Sequence, residues 1–351
     1  MNVRLSGLIR AILALGVLAG ASGASAQETI KLRFSTMLPP MTTHHRQVIV
    51  PWVEEVKRRS GGRLEITVFP ASSICKPNQQ YECARDGVVD IAFGLPGWTP
   101  NRFPLTSVME LPFMHRSAAT GSQMLADLWD KYLSSEYKDV HVLAMNMQPA
   151  GHLITRTRPV RTLEDVAGLK LRAPTAVTGD IVERLGASKV GLPAPDVYQA
   201  MSNRVIDGYI LNYEGVLAFK LNEVSRYYTE VAMYSTPFVT FMNLKAYQAL
   251  PADLRAILDE TTAQAAGHWK NIGAAWDRND AVARKTLADG GGEIIEITAQ
   301  ERRRWVDKVA PIDEAWAAGL EAKGLPGRAL LKDARALAAK YGEGMPGAAP
   351  R

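Results

Sequence analysis

The chain has little cysteine, little net charge and no grouping of residues that performs catalysis. Its two cysteines, Cys75 and Cys83, form no C-x-x-C pair, which sets aside a dithiol redox centre and a cysteine-rich zinc site. The net charge is +5 over 351 residues. Lysine and arginine are scattered, so no basic run is offered to nucleic acid. Neither G-x-S-x-G nor H-E-x-x-H nor a phosphate-binding loop occurs. Gly290-Gly291-Gly292 follows a helical segment instead of joining a strand to a helix, unlike a dinucleotide fingerprint. His44-His45 is the one histidine cluster. Neighbours on an extended segment point apart, which argues against a shared metal and for a loop at the surface or a pocket rim. No catalytic residue, metal or cofactor is expected.

Long apolar runs are also missing. Ala11 to Ala21 is too short to span a bilayer, which takes about 20 residues. Arg4 and Arg10 precede it without an acidic residue, and Ala24-Ser25-Ala26 has the small-x-small form of a signal-peptidase site. Residues 1–26 therefore read as a signal peptide cleaved after Ala26, which places the mature protein in the periplasm. Loss of Arg4 and Arg10 takes the net charge from +5 to +3. In an oxidising compartment Cys75 and Cys83 become a candidate disulfide. Pro77 to Arg85 reads as a helix with proline in its first turn, Cys75 just before it and Cys83 inside it.

The body of the chain alternates strand-like and helix-like segments, the pattern of an α/β protein. Strands are expected at Ile30–Ser35, Leu64–Phe69, Val88–Phe93, Val140–Met147, Gly208–Leu211 and Glu293–Ile297. Helices are expected at Val48–Arg59, Thr178–Leu185 and from Pro195 to Met201. Thr162-x-x-Asp165 has the form of a capping box. Asp253 to Leu287 carries Leu254, Leu258, Trp269, Ile272 and Trp276 at helical spacing, which predicts one long amphipathic helix or two nearly end to end. Such a helix outruns one small domain and suits a brace between two lobes.

The most informative segment is Gly168-Leu-Lys-Leu-Arg-Ala-Pro174. Leu169 and Leu171 alternate with Lys170 and Arg172, the period of a strand with one buried face. Ala173-Pro174 ends the strand, because proline has no donor to extend a ladder. Arg172 then stands at the carboxyl end of a strand, where open α/β sheets bind ligands. A guanidinium there is a permanent cation whose donor fork matches a carboxylate. A surface arginine is the alternative.

Several segments in order carry a family resemblance. They are Lys31-Leu-Arg-Phe-Ser35, Gly61-Gly-Arg-Leu-Glu-Ile-Thr-Val-Phe-Pro70, Gly87-Val-Val-Asp-Ile-Ala92, Glu110-Leu-Pro-Phe113, Arg158 through Arg172, Ile206-Asp-Gly208, and Phe241-Met-Asn243 followed by Leu250-Pro251. With them the chain resembles the DctP-type solute-binding proteins of TRAP transporters, from about Ile30 to about Tyr341. The resemblance implies two α/β lobes closing by hinge motion on a cleft, with a long helix spanning both. The expected division is 27–149 plus 238–278 for lobe 1 and 150–237 plus 279–341 for lobe 2, with 342–351 a disordered tail. The implied partner is a membrane permease with two transmembrane components.

The resemblance also assigns roles. Arg172 pairs with the ligand carboxylate. His152 stands six residues before Arg158-Pro159, where relatives often carry a second arginine. Asn212 and Tyr213 follow Asp207-Gly208 as polar and aromatic pocket residues, while Glu214 is structural. Trp98, in the loop after the third strand, and Phe238, near the lobe crossover, are candidate apolar walls. The expected ligand is an organic monocarboxylate, aromatic or a 2-oxo acid. A ligand-sensing subunit of a signalling receptor and an exported enzyme remain as alternatives.

Overall fold

The computed structural model describes residues 29–264 and 267–343. The signal segment 1–26 and residues 344–351 of the tail lie outside the described residues. The strands are β1 (Ile30–Thr36), β2 (Leu64–Phe69), β3 (Ile91–Gly94), β4 (Val140–Met147), β5 (Gly151–Thr155), β6 (Lys170–Ala173), β7 (Ser188–Gly191), β8 (Gly208–Leu211), β9 (Tyr227–Tyr234), β10 (Pro237–Asn243) and β11 (Glu293–Glu296). They form two sheets, ordered β2-β1-β3-β10-β4 in lobe 1 and β11-β9-β5-β8-β6-β7 in lobe 2. Most expected strands keep their place. The third starts only at Ile91, because the Asp90 carboxylate accepts the Arg33 N–H (2.7 Å) and Val88 is left exposed.

Alternation explains the lobe 1 sheet. In β1, Leu32 and Phe34 are buried while Lys31 and Arg33 point outward. In β6 the rule fails in an instructive way. Lys170 is exposed, yet Leu171, Arg172 and Ala173 are all buried, because helices and the opposite lobe cover both faces of the strand end. Upstream, Thr162 and Asp165 form the expected capping box, on a single 3₁₀ turn. Gly168 then takes a positive φ of 78°, which a side chain would strain.

The lobes are joined at Gln148–Ala150 and at Ser235–Thr236. The two crossovers lie side by side. Ser235 Oγ donates to the Gln148 carbonyl (2.7 Å), and the Gln148 N–H donates to the Thr236 carbonyl (3.3 Å). A third link is the helix His268–Asp289, preceded after a break by the helix Ala252–Thr262. Trp269 and Ile272 enter the core of lobe 1, whereas Ala283 and Leu287 enter that of lobe 2. Midway, Asp277 accepts from Ser117 Oγ and the Ala118 and Ala119 N–H groups, capping the lobe 1 helix Ala118–Leu128. Three residues on, Asp280 accepts from Asn212 Nδ2 and the Glu214 N–H at the start of the lobe 2 helix Tyr213–Ala218.

One boundary needs correction. Residues 279–309 belong to lobe 2, but the helices Pro311–Glu321 and Gly327–Lys340 return to lobe 1. Leu320, Leu330, Ala334 and Ala338 share a core with Tyr81 and Phe241. Their i, i+4 stripe marks a buried face without saying which lobe buries it. The end of that return is fastened as well, since Glu343 accepts the Arg116 and Ser117 N–H groups. Cys75 and Cys83 are joined, their Cα atoms 6.5 Å apart. No helix among the described residues is long and apolar enough to cross a membrane.

Candidate functional site

Arg172 stands at the end of β6, in register with Val190 of β7 and Tyr209 of β8. It is 1% exposed. Nε donates to the Leu192 carbonyl (2.8 Å) and Nη1 to the Ile210 carbonyl (3.3 Å). No carboxylate among the described residues pairs with it, and Asp196 acts on it only through its field. Burial pulls its pKa down to about 10, so the guanidinium stays charged at neutral pH. A buried charge without a partner is costly, and its free N–H groups face a cavity.

That cavity lies between the lobes. Lobe 1 contributes Met37, Leu38, Leu95, Trp98, Phe238 and Trp276. Lobe 2 contributes Pro174, Ala194, Leu211, Asn212, Glu214 and Phe219 beside Arg172, and the crossovers add Gln148, Tyr234 and Thr236. It holds at most about 440 Å³ of atom-free space, of which about 40 Å³ is open to the centres of water-sized molecules. The aromatic wall is ordered by stacking. Phe238 lies parallel to Phe93 with ring centres 4.9 Å apart and meets Trp276 edge-on at 5.1 Å. His44, expected at the surface or a pocket rim, is buried behind this wall, 4.3 Å from the Phe93 ring centre.

The cleft is closed. Trp98 Nε1 donates to the Pro174 carbonyl (2.9 Å), Thr175 Oγ1 to Glu110 Oε2 (2.5 Å), and the Thr43 N–H to Glu214 Oε1 (3.0 Å). Each bond joins one lobe to the other. Glu110 is 1% exposed, and burial pushes its carboxyl up to about 7. Outside Trp98 lies a larger concavity, about 1000 Å³ open to the centres of water-sized molecules. It exceeds the inner cavity in size but is lined by no buried cation; Glu110, its buried acid, is bonded to Thr175, so the anion-binding chemistry points inward.

Residues 34–318 match the family described as bacterial extracellular solute-binding protein, family 7. The fold matches a TRAP solute-binding protein of Rhodoferax ferrireducens T118 that carries copurified benzoate. The identity is 35%, the TM-score 0.86, and 90% of this chain and 99% of that one are covered. The chain belongs to the TRAP solute-binding proteins. A marine metagenome member described as specific for aromatic acids, in complex with 3-hydroxybenzoate, is 33% identical with a TM-score of 0.85, over 90% of this chain and 99% of its own. The C4-dicarboxylate-binding periplasmic protein DctP of Rhodobacter capsulatus is 24% identical over 86% of this chain and 93% of its length.

Within this TRAP protein, Arg172, Asn212, Trp98 and Phe238 come together around one cavity. Asn212 is turned differently from expectation, because one amide hydrogen already goes to Asp280 (3.0 Å). Trp98 is both wall and clasp. His152 and Tyr213 do not line the cavity. His152 pairs with Leu211 on β8, two strands from Arg172, and its Nδ1 accepts the Ala232 N–H (3.3 Å). Tyr213 packs 4.5 Å from the His152 ring centre and donates to Glu230 Oε1 (2.8 Å). Both face a separate open concavity, where Arg284 is paired with Glu230. Burial lowers the His152 pKa to about 4, so its ring is neutral there. Trp276, Tyr234 and Thr236 are site residues that the sequence did not single out. Trp276 sat in the predicted helix as a core position. The other two carry no local signal, because the crossover that brings them to Arg172 is a long-range feature.

Proposed function

We propose that the protein captures an aromatic monocarboxylate in the Arg172 cavity and hands it to the membrane subunits of a TRAP permease. One observation carries the reading: a buried guanidinium with no acidic partner faces a cavity whose other walls are largely apolar and aromatic. A ligand carboxylate removes the penalty of the uncompensated charge, and a neutral ligand does not. Trp98, Phe238 and Trp276 suit a ring body. Arg172 is the one cation among the residues lining the cavity, which disfavours a second carboxylate on the ligand. The aromatic acids held by the two relatives at 33–35% identity support the same class. The protein binds and releases its acid without turnover. Residues 1–26 direct export, and the periplasmic form starts at Gln27, which its intact mass checks.

The test is a thermal-shift panel on protein unfolded and refolded to strip carried ligand. The panel holds benzoate, 3-hydroxybenzoate, mandelate, phenylpyruvate, succinate and galactonate. A ligand at 100 times its Kd stabilises the native state by about 2.7 kcal/mol, a visible rise in Tm. Shifts with the aromatic acids, absent in folded Arg172→Ala, are the expected outcome. Shifts confined to succinate or galactonate, or none with any acid, overturn the reading.

A further inference from the structure

The second crossover brings to the cavity a polar group that no protein atom satisfies. Thr236 is 1% exposed, it lines the cavity with Arg172, and its hydroxyl has no hydrogen-bond partner. Buried hydroxyls are almost always bonded, and leaving one unbonded costs free energy that an isosteric methyl does not. Its neighbours on the chain are committed elsewhere. Tyr234 donates its hydroxyl to the Ile210 carbonyl (2.8 Å), the carbonyl that Arg172 Nη1 also reaches. Ser235 Oγ is spent on the Gln148 carbonyl. Tyr234 and Thr236 line the cavity and Ser235 does not, the alternation of an extended segment.

The shared Ile210 carbonyl therefore registers this crossover on Arg172, and Thr236 follows about 7 Å further along the chain. In so small a cavity, a group seated on the guanidinium lies close to every polar wall. A carboxylate has acceptors and no proton to give, so a hydroxyl facing it acts as donor.

We propose that Thr236 is a second donor to the ligand's carboxylate, its hydroxyl bonding one oxygen while Arg172 neutralises the charge. The inference rests on the reading of the cavity as an acid site. It places one ligand contact on the segment that joins the lobes, so an acid bound there touches lobe 2 through Arg172 and the crossover through Thr236. A carboxamide of the same shape gains less from both donors.

The test uses the full mature protein with benzoate and mandelate as probes, titrated calorimetrically against Thr236→Val and Thr236→Ser. Valine keeps the shape and removes the donor, and is expected to weaken both acids by about ten-fold to a hundred-fold, while serine stays within about three-fold of wild type. The ligand-free Thr236→Val protein is expected to melt at or above the wild-type temperature, because its unbonded hydroxyl is gone. Opposite signs for affinity and stability mark a ligand donor, since a packing residue would lower both. A folded Thr236→Val protein that keeps wild-type affinity, while Arg172→Ala has lost it, overturns this inference and leaves the acid site standing. A valine variant that melts lower, with serine equally weak, also overturns it. Wild-type protein that binds neither acid overturns both readings.

Discussion

Two concavities flank the lobe 2 sheet, and they treat charge in opposite ways. Around His152 the carboxylates are all bonded: Glu230, Asp277 and Asp280 each accept hydrogen bonds. Glu230 takes Arg284 and the Tyr213 hydroxyl, and the histidine is held neutral with its Nδ1 already bonded. Around Arg172 the accounts stay open: a buried guanidinium meets only backbone carbonyls, and a buried threonine hydroxyl meets nothing. The first leaves no buried charge unbonded. The second is incomplete without a ligand. A buried cation without an acidic partner, beside an unbonded hydroxyl, sets the Arg172 cavity apart from the His152 concavity.

That contrast breaks most sharply at Arg172. Arg172→Met keeps an unbranched apolar stem and removes the charge, so aromatic acid affinity is expected to fall by about a hundred-fold or more. Ligand-free stability is expected to hold or rise, because a buried unpaired charge is gone. Calorimetric titration with thermal melts checks both, and retained affinity would place the anion elsewhere.

The next effect belongs to the clasp at Glu110. Its carboxyl has an ordinary value of 4.5 in water and about 7 in the closed cleft. Closure therefore takes up a proton between those values, so it is fully favoured below 4.5 and weakens as pH rises through 7. Benzoate affinity is expected to drop by about ten-fold or more from pH 5 to 7 and to level off above. Glu110→Gln should remove most of that slope. Glu214, also raised by burial, supplies the remainder. A flat wild-type profile would mean that Glu110 is equally buried in the open form.

A smaller loss is expected for Trp98→Phe, which keeps an aromatic wall and removes the bond to the Pro174 carbonyl. About a five-fold weaker affinity, seen as faster release in stopped-flow displacement, fits the loss of one hydrogen bond. Smallest is His152→Gln, expected to change affinity by less than about two-fold. Its signature is in stability. A histidine lowered to about 4 by burial stabilises the fold fully above 6.5, and that contribution is lost as pH falls through 4. The glutamine variant should therefore resist acid better than wild type. Acid binding that depends on His152 would erase the distinction between the two concavities.

What the sequence made legible was local. The alternation of Leu169 to Arg172 and the stop at Pro174 located the strand end and its cation. The spacing from Leu254 to Trp276 located the long helices and allowed for two of them, without placing the break. Trp98 and Phe238 were recognisable as apolar residues at strand ends. What escaped depends on strand order. His152 occupies the expected place along the chain, but β8 lies between its strand and that of Arg172, and the Ala232 N–H captures its ring. Thr236 has no periodic or motif signal, because its closeness to Arg172 exists only after β9 is laid beside β5. The last helices show the same limit: their stripe reads as buried, and only the assembled lobes decide against which core.

The two aspartates on the spanning helix set how the molecule can move. Asp277 is fastened to lobe 1 and Asp280 to lobe 2, and three residues of helix amount to about 4.5 Å along its axis. Sliding of one lobe past the other would tear one fastening away. Bending concentrated in that single turn would keep both. The helix then behaves as a leaf spring clamped at two adjacent points, its pivot fixed and its arms long. A small flexure at the clamp would sweep Trp98 and Pro174 apart at the mouth. Burial raises Asp280 to about 7, so one clamp changes its charge near neutral pH, and the stiffness of the spring becomes a property that acidity can tune.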